Sequence, residues 1–302
     1  MITLEDYLTK IGCETSLGDL ILLLSEQAGP IRDAFPENQD YAGTENASGE
    51  DQMELDKYAD KHLTEVLKES GLVGAIGSEE KDTILYLDNP DDRLGVNMDP
   101  LDGSSLIDVN LAVGTIIGIQ DKGNILNKGE DMLAAMYMIY GPMTTLVMTT
   151  GKGKGVHEFV LNKDGEFALL RENLRIPEGG KILGPGALRK DYTDIHRQYI
   201  EQLEAEGYKL RYSGCFVAEV HQILHKGGLY TYPATKENEN GKLRLNFEAN
   251  PMGRLVEEAG GMISDGYRNI LKIVPEKVHQ RVPIYVGNKG PVDKIEYMMK
   301  NQ

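Results

Sequence analysis

A chain of 302 residues, 40% hydrophobic and 26% charged, has the composition of a folded globular protein and is long enough for one large domain or two packed ones. Its 48 acidic against 32 basic side chains leave a formal charge of -16, which excludes a phosphate-backbone binder, because that chemistry needs clustered Lys and Arg. With no apolar run long enough to span a bilayer and no charged-then-apolar leader after Met1, the expectation is a cytoplasmic protein with no membrane and no nucleic-acid partner. Cys13 and Cys215 stand far apart and outside any CxxC or His-spaced zinc pattern, so both read as reduced thiols.

Residues 21–31 carry an apolar helical pattern that Pro30 breaks or kinks. Residues 36–52 lose periodicity and fill with Asn, Asp, Glu, Gly and Ser, which predicts a surface loop ending at Asp51. Within it Asn46-Ala47-Ser48 has the form of a glycosylation acceptor, which means nothing without secretion. Leu55, Tyr58, Ala59, His62, Leu63, Val66 and Leu67 recur at helical spacing up to a stop at Gly71, placing Asp56 beside the stripe near the helix start. Two short buried strands follow. Residues 72–76 run into Gly77-Ser78-Glu79-Glu80 and residues 94–98 into Asp99, so each strand delivers carboxylates at its C-terminal end.

The middle reads as strands over 111–119, 132–139, 144–149 and 156–161, punctuated by Gly141-Pro142 and by glycines from 151 to 155. Lys152-Gly153-Lys154-Gly155 lacks the spacing and the hydroxyl residue of a Walker phosphate loop and reads as a hairpin turn. The last third predicts helices over 191–206 and 216–225 and strands over 229–232 and 243–247. A further helix is opened by a capping Asn250 with Pro251 and closed by Gly260-Gly261. With no repeat, coiled coil or low-complexity tract, the fold class is layered α/β.

The chemistry concentrates at Asp99-Pro100-Leu101-Asp102-Gly103-Ser104-Ser105. A turn there directs two carboxylates and the Gly103, Ser104 and Ser105 amides toward one point, which suits a hard cation bridged to a phosphate. An isolated Asp-x-x-Asp-Gly is more often a capped turn, and Glu79-Glu80 alone would be a solvated surface pair. Together they change the reading. Acids at several strand ends, with Glu248 at a third before Asn250-Pro251, repel one another unless a cation or a proton neutralises them.

Ser78-Glu79-Glu80, the segment from Asp99 to Asp108, and the block from Gly241 to Met252 (GKLRLNFEANPM) resemble, in order and spacing, the signature segments of the class I fructose-1,6-bisphosphatase family. The resemblance runs from about Gly49 to the C-terminus. The DPLDG core is shared across the lithium-sensitive phosphatase superfamily, whereas the second block is specific to this family. The resemblance implies an α-β-α-β-α sandwich with a metal-binding region over 1–175 and a sugar-phosphate region over 176–302. It implies two or three Mg2+ per subunit, with Mn2+ or Zn2+ as substitutes, on Glu79, Glu80, Asp99, Asp102, Glu248 and the Leu101 carbonyl. It places Asp56 and Glu80 around the attacking water, and Asp51 near Arg244. It assigns the sugar side to Lys242, Tyr212, Tyr232 and, from a neighbouring subunit of a homotetramer, Arg211. The substrate so implied is fructose 1,6-bisphosphate, cleaved at its 1-phosphate.

Two departures qualify the resemblance. Pro185 and Leu188 stand where the family usually has an Asn and a Tyr at the distal phosphate, with Arg189 as a candidate replacement, which leaves sedoheptulose 1,7-bisphosphate open as substrate. The AMP contacts of the animal enzymes appear as Arg93, Leu94 and Asp121, and an Asp facing a phosphate is repulsive, so weak or absent AMP control is expected. Two rival readings remain. An inositol-monophosphatase-like enzyme would carry a later Trp-Asp metal motif, and the chain has no Trp. A non-catalytic metal-binding regulator would lack part of the machinery.

Overall fold

The computed structural model describes residues 2–38, 40–45 and 51–301, with the backbone alone at Glu45 and Asp51. The chain begins with helices α1 (Leu4–Lys10), α2 (Thr15–Glu26) and α3 (Ala28–Asp33), a ribbon of β1 (Tyr41–Glu45) and β2 (Asp51–Met53), and helix α4 (Glu54–Ser70). Strands β3 (Val73–Ser78), β4 (Leu85–Tyr86), β5 (Leu94–Asp102), β6 (Val113–Gln120), β7 (Ala134–Tyr140), β8 (Thr144–Thr149), β9 (His157–Leu161) and β10 (Phe167–Arg171) make one sheet in the order β10-β9-β8-β7-β6-β5-β3-β4. A second sheet is ordered β12-β11-β13-β15-β14. Its strands are β11 (Ile182–Pro185), β12 (Lys209–Leu210), β13 (Gly228–Tyr232), β14 (Met262–Ser264) and β15 (Ile284–Gly287). Between these strands the chain forms α5 (Asp194–Ala205), α6 (Phe216–Lys226) and α7 (Asn250–Glu258), and it ends in α8 (Lys289–Lys300).

Strand periodicity sorts these elements into layers. In β6 and β7, Ile116, Tyr137 and Ile139 join one core with α6, α7 and the inner face of the second sheet, while Ile117, Met136 and Met138 join another with α1 to α4. In β13 and β15, Leu229 and Tyr285 face a third core with Tyr199 and Leu203 of α5 and Val292 of α8, whereas Tyr230, Ile284 and Val286 face inward. The result is an α-β-α-β-α sandwich.

Several predicted elements are corrected. The helical break falls at Gln27, and Pro30 sits in the first turn of α3, where its missing N–H costs nothing. The predicted loop contains a short β-ribbon. The strand predicted over 94–98 continues to Asp102, its register slipping between Asp99 and Asp102. Residues 243–247 do not form a strand; Leu245–Ala249 is a π-turn, in which the Ala249 N–H donates to the Arg244 carbonyl at 3.0 Å. Asn250 caps nothing, because this turn runs straight into α7 and leaves no free helix start.

Candidate active site

Strands β3 and β5 run parallel with Ser78 opposite Met98, so their carboxyl ends open at one edge of the sheet, and the Glu79 N–H donates to the Met98 carbonyl at 3.1 Å. Four further pieces of chain converge there: the start of α4, the loop before α6, the end of β13, and the π-turn before α7 with the residues leading into it. They enclose a cavity of about 450 Å3 lined by Asp56, Glu79, Glu80, Asp99, Leu101, Asp102, Gly103, Ser104, Ser105, Tyr212, Tyr232, Lys242, Arg244 and Glu248. Tyr230, Phe216, Gly214 and Leu243 complete the wall.

The electrostatics of this cavity are one-sided. Six carboxylates line it against two cationic side chains, and oxygens of Glu79, Asp99 and Glu248, all buried, lie within 4.8 Å of one another. Burial, then Glu79 and Asp102, push the Asp99 pKa well up; burial and Glu79 do the same to Glu248. Asp102 is raised to about 6, mainly by burial, and Glu80 to about 7 by burial and then by the charges of Asp56, Glu79 and Asp60. Arg244 supplies the nearest positive charge, with Nη1 2.9 Å from Glu79 and 3.9 Å from Glu248. An all-oxygen set with four negative charges in excess, held rigidly by backbone, is the chemistry hard divalent cations select.

Each carboxylate is aimed by a local device. The π-turn folds Glu248 back so that it accepts from the Arg244 N–H at 2.6 Å. Asp99 accepts from the Leu101 N–H at 3.0 Å. Asp102 accepts from the Val217 N–H in the first turn of α6 and from the Cys215 thiol at 3.3 Å, an anion at a helix N-terminus. Gly103, at φ 83°, has no room for a side chain: a Cβ would lie 2.7 Å from that of Cys215. Asp56 accepts from the Met53 N–H at 2.8 Å.

Outside the cavity lining lies Arg211, exposed beside Tyr212. The Asp51 side chain lies outside the described residues. Arg189, outside the cavity lining, pairs with Glu201 at 3.1 Å and Glu204 at 3.6 Å, and Leu188 is 61% exposed. The sequence reading missed four supporting residues. Gln52 donates to Glu80; Asp60 is held by Ser78 at 2.6 Å and by Lys81; Cys215 was read only as a thiol; Glu219 accepts from Ser213 Oγ at 2.7 Å and fixes the loop carrying Tyr212. Asp60 and Glu219 each lie on a buried helical face, the one signal that could have found them.

Residues 31–172 match the N-terminal domain of fructose-1-6-bisphosphatase and residues 176–300 its C-terminal domain. A class 1 fructose-1,6-bisphosphatase of Methanocorpusculum labreanum is 53% identical over 296 residues, 98% of this chain and 91% of that one. That of Methanospirillum hungatei is 49% identical over 302 residues, covering 100% and 96%. The holo-form crystal structure of Leishmania major fructose-1,6-bisphosphatase superposes with a TM-score of 0.93 at 30% identity, covering 99% of both chains.

Fold and cavity together define a divalent-metal-dependent phosphoric monoester hydrolase acting on sugar bisphosphates. Within that class the chain belongs to the class 1 fructose-1,6-bisphosphatase family, and its reaction is the hydrolysis of fructose 1,6-bisphosphate. Among the described residues, no helix is long and apolar enough to cross a membrane.

Proposed function

We propose that the reaction releases the 1-phosphate and leaves fructose 6-phosphate, with Mg2+ as the working ion on Glu79, Glu80, Asp99, Asp102, Glu248 and the Leu101 carbonyl. The observation carrying this is the buried trio Glu79, Asp99 and Glu248, three acids whose oxygens lie within 4.8 Å of one another. Bound there, the cations would acidify a water and neutralise charge on the leaving oxygen. The Gly103, Ser104 and Ser105 amides take the phosphate oxygens of the reacting group. Glu80 and Asp56, side by side on the cavity wall, accept the proton of the attacking water. Arg244 holds Glu79 and Glu248 apart from each other and in place; its role toward Asp51 remains the one the family resemblance implies. Manganese or zinc would occupy the same oxygen set.

On the sugar side, Tyr212 and Tyr232 flank the ring and Lys242, at the exposed rim, faces the distal phosphate. Arg211, one residue from Tyr212 and exposed, would reach the cavity of a neighbouring subunit in a tetramer. Residues 1–175 thus supply most metal ligands and residues 176–302 the sugar site, with Glu248 crossing between them. The chain leaves the large sheet at Leu174, whose N–H donates to Val156, and joins the middle layer at Ile176, bonded to Ala259. We place the enzyme in the cytoplasm, in keeping with two free cysteines.

The test is phosphate release with Mg2+ from fructose 1,6-bisphosphate, sedoheptulose 1,7-bisphosphate, fructose 6-phosphate and inositol monophosphate. The proposal expects the C6 bisphosphate to lead and release to stop at one phosphate. Faster release from the C7 sugar would trace to the altered Pro185 and Leu188. Release led by inositol monophosphate, or none with Mg2+, would overturn it.

A further inference from the structure

A second constellation of ligating groups lies away from the acidic cavity, where the C-terminal half of α6 crosses β9. His221 and His225 stand one turn apart on α6, facing Glu158 of β9, and one ligand atom from each of the three lies within 4.8 Å of the others. Glu158 is 2% exposed, while the two histidines reach partial solvent access. His225 Nε2 is 3.2 Å from Glu158 Oε1, yet it makes no aligned hydrogen bond. Ligands around a tetrahedral ion at roughly 2.0–2.1 Å stand about 3.3 Å apart, so the spacing admits an ion shared between the two groups. The Tyr137 hydroxyl meets His221 Nδ1 at 2.8 Å, which leaves His221 to offer Nε2, and Arg171 holds the outer oxygen of Glu158. A ligating imidazole ordinarily has such a partner behind it.

We propose that Glu158, His221 and His225 form a binding site for a transition-metal cation of the zinc class, with water in the fourth position and Tyr137 and Arg171 as the groups that orient the ligands. Two nitrogens and one oxygen select zinc, cobalt or nickel over magnesium, whereas the all-oxygen catalytic cavity also accommodates hard ions such as magnesium. Burial keeps the His221 imidazole neutral, with its pKa lowered to about 4, the form a metal requires. The site would pin α6 to β9, and the same helix holds Asp102 at its other end.

Wild-type protein saturated with Mg2+ is titrated with Co2+, whose d–d absorption is intense in a four-coordinate imidazole site and weak in an oxygen-only six-coordinate one. One equivalent with the intense spectrum is expected. His221→Gln and His225→Gln should each abolish it while Mg2+-dependent phosphate release stays at the wild-type rate, and Tyr137→Phe should weaken binding by about 10- to 100-fold. His225→Gln, at the partly exposed end, keeps the test open if His221→Gln does not fold. A weak six-coordinate spectrum in wild type, or an intense one that both histidine variants retain, overturns the proposal.

Discussion

Replacing Glu248 by Gln tests the electrostatics of the carboxylate cluster while keeping its shape. Oxygens of Glu248, Glu79 and Asp99 lie within 4.8 Å of one another. At an effective dielectric constant of about 20, like charges 4.8 Å apart or less repel by at least about 3.5 kcal/mol, so the two pairs involving Glu248 cost at least about 7 kcal/mol without a cation. Arg244, at 3.9 Å, offsets about 4 kcal/mol of this. The Glu248 charge is therefore at least about 3 kcal/mol unfavourable in metal-free protein, the same physics by which burial and Glu79 push its pKa up. The amide oxygen of the substituted side chain would still accept the Arg244 N–H. In EDTA at pH 8, Glu248→Gln should melt higher than wild type by about 6–12 °C, at about 2–4 °C per kcal/mol. Added Mg2+ should raise the wild-type Tm and leave the variant unmoved, with turnover nearly abolished. A variant that melts lower in EDTA, or that keeps the Mg2+ shift, would refute the reasoning.

Lys242→Ala should depress kcat/KM on fructose 1,6-bisphosphate by about ten- to a hundredfold, the equivalent of losing one charge-assisted contact, and matter little on a sugar monophosphate; equal losses on both would move Lys242 to the reacting phosphate. Gly103→Ala should lose more stability than Gly153→Ala, because both sit at positive φ, costing about 1–2 kcal/mol, and only Gly103 also meets the Cys215 side chain; equal melting temperatures would contradict this. AMP should leave the rate unchanged in a kinetic titration, since near Arg93 and Asp121 the start of α2 is already filled by the Glu14 carboxylate, which accepts from Ser16 at 3.1 Å and Leu17 at 2.9 Å; inhibition at micromolar AMP would overturn it. Burial lowers the His196 pKa to about 3. The unfolded chain then takes up a proton below about pH 6.5 that the folded one refuses, costing about 2 kcal/mol by pH 5. In denaturant melts His196→Phe should therefore change the stability difference between pH 7 and pH 5 by about 2 kcal/mol in favour of pH 5 relative to wild type, and an unchanged pH dependence would count against burial as the cause.

Glu79 and Asp99 were legible because each stands at the end of an apolar run, where a buried segment returns to polar chemistry, but it took acids at several such ends, and the family resemblance, to read them and Asp102 as one site. Residues 243–247 misled because Leu243, Leu245 and Phe247 alternate in the sequence, yet all five positions are buried. Alternation carries no information where both faces are covered, and the side-chain bond from the Arg244 N–H to Glu248, which decides for the π-turn, spans residues whose local propensities say nothing about it. Gln52 and Cys215 were illegible for a different reason. Each acts on a carboxylate 28 or 113 positions away, and no spacing rule reaches that far.

That distance bears on how the site is assembled. Asp102 belongs to a strand of the large sheet, but its carboxylate is held by the first turn of α6, in the middle layer. Glu248 belongs to the middle layer, but it lies against Glu79 and Asp99 at the ends of the large sheet's strands. Asp102 is therefore held by groups of the other layer, whereas Glu248 is held by the Arg244 N–H of its own turn and meets the other layer as a charge. Until the layers dock, these carboxylates are not brought together; once they have docked, Glu248 meets Glu79 and Asp99 as a like charge, and Arg244, 2.9 Å from Glu79, offsets part of that repulsion. A divalent cation reverses that sign, so its binding energy becomes docking energy. The same carboxylates that make the cavity fit for phosphate chemistry would thereby couple the docking of the two layers to a cation bound among them.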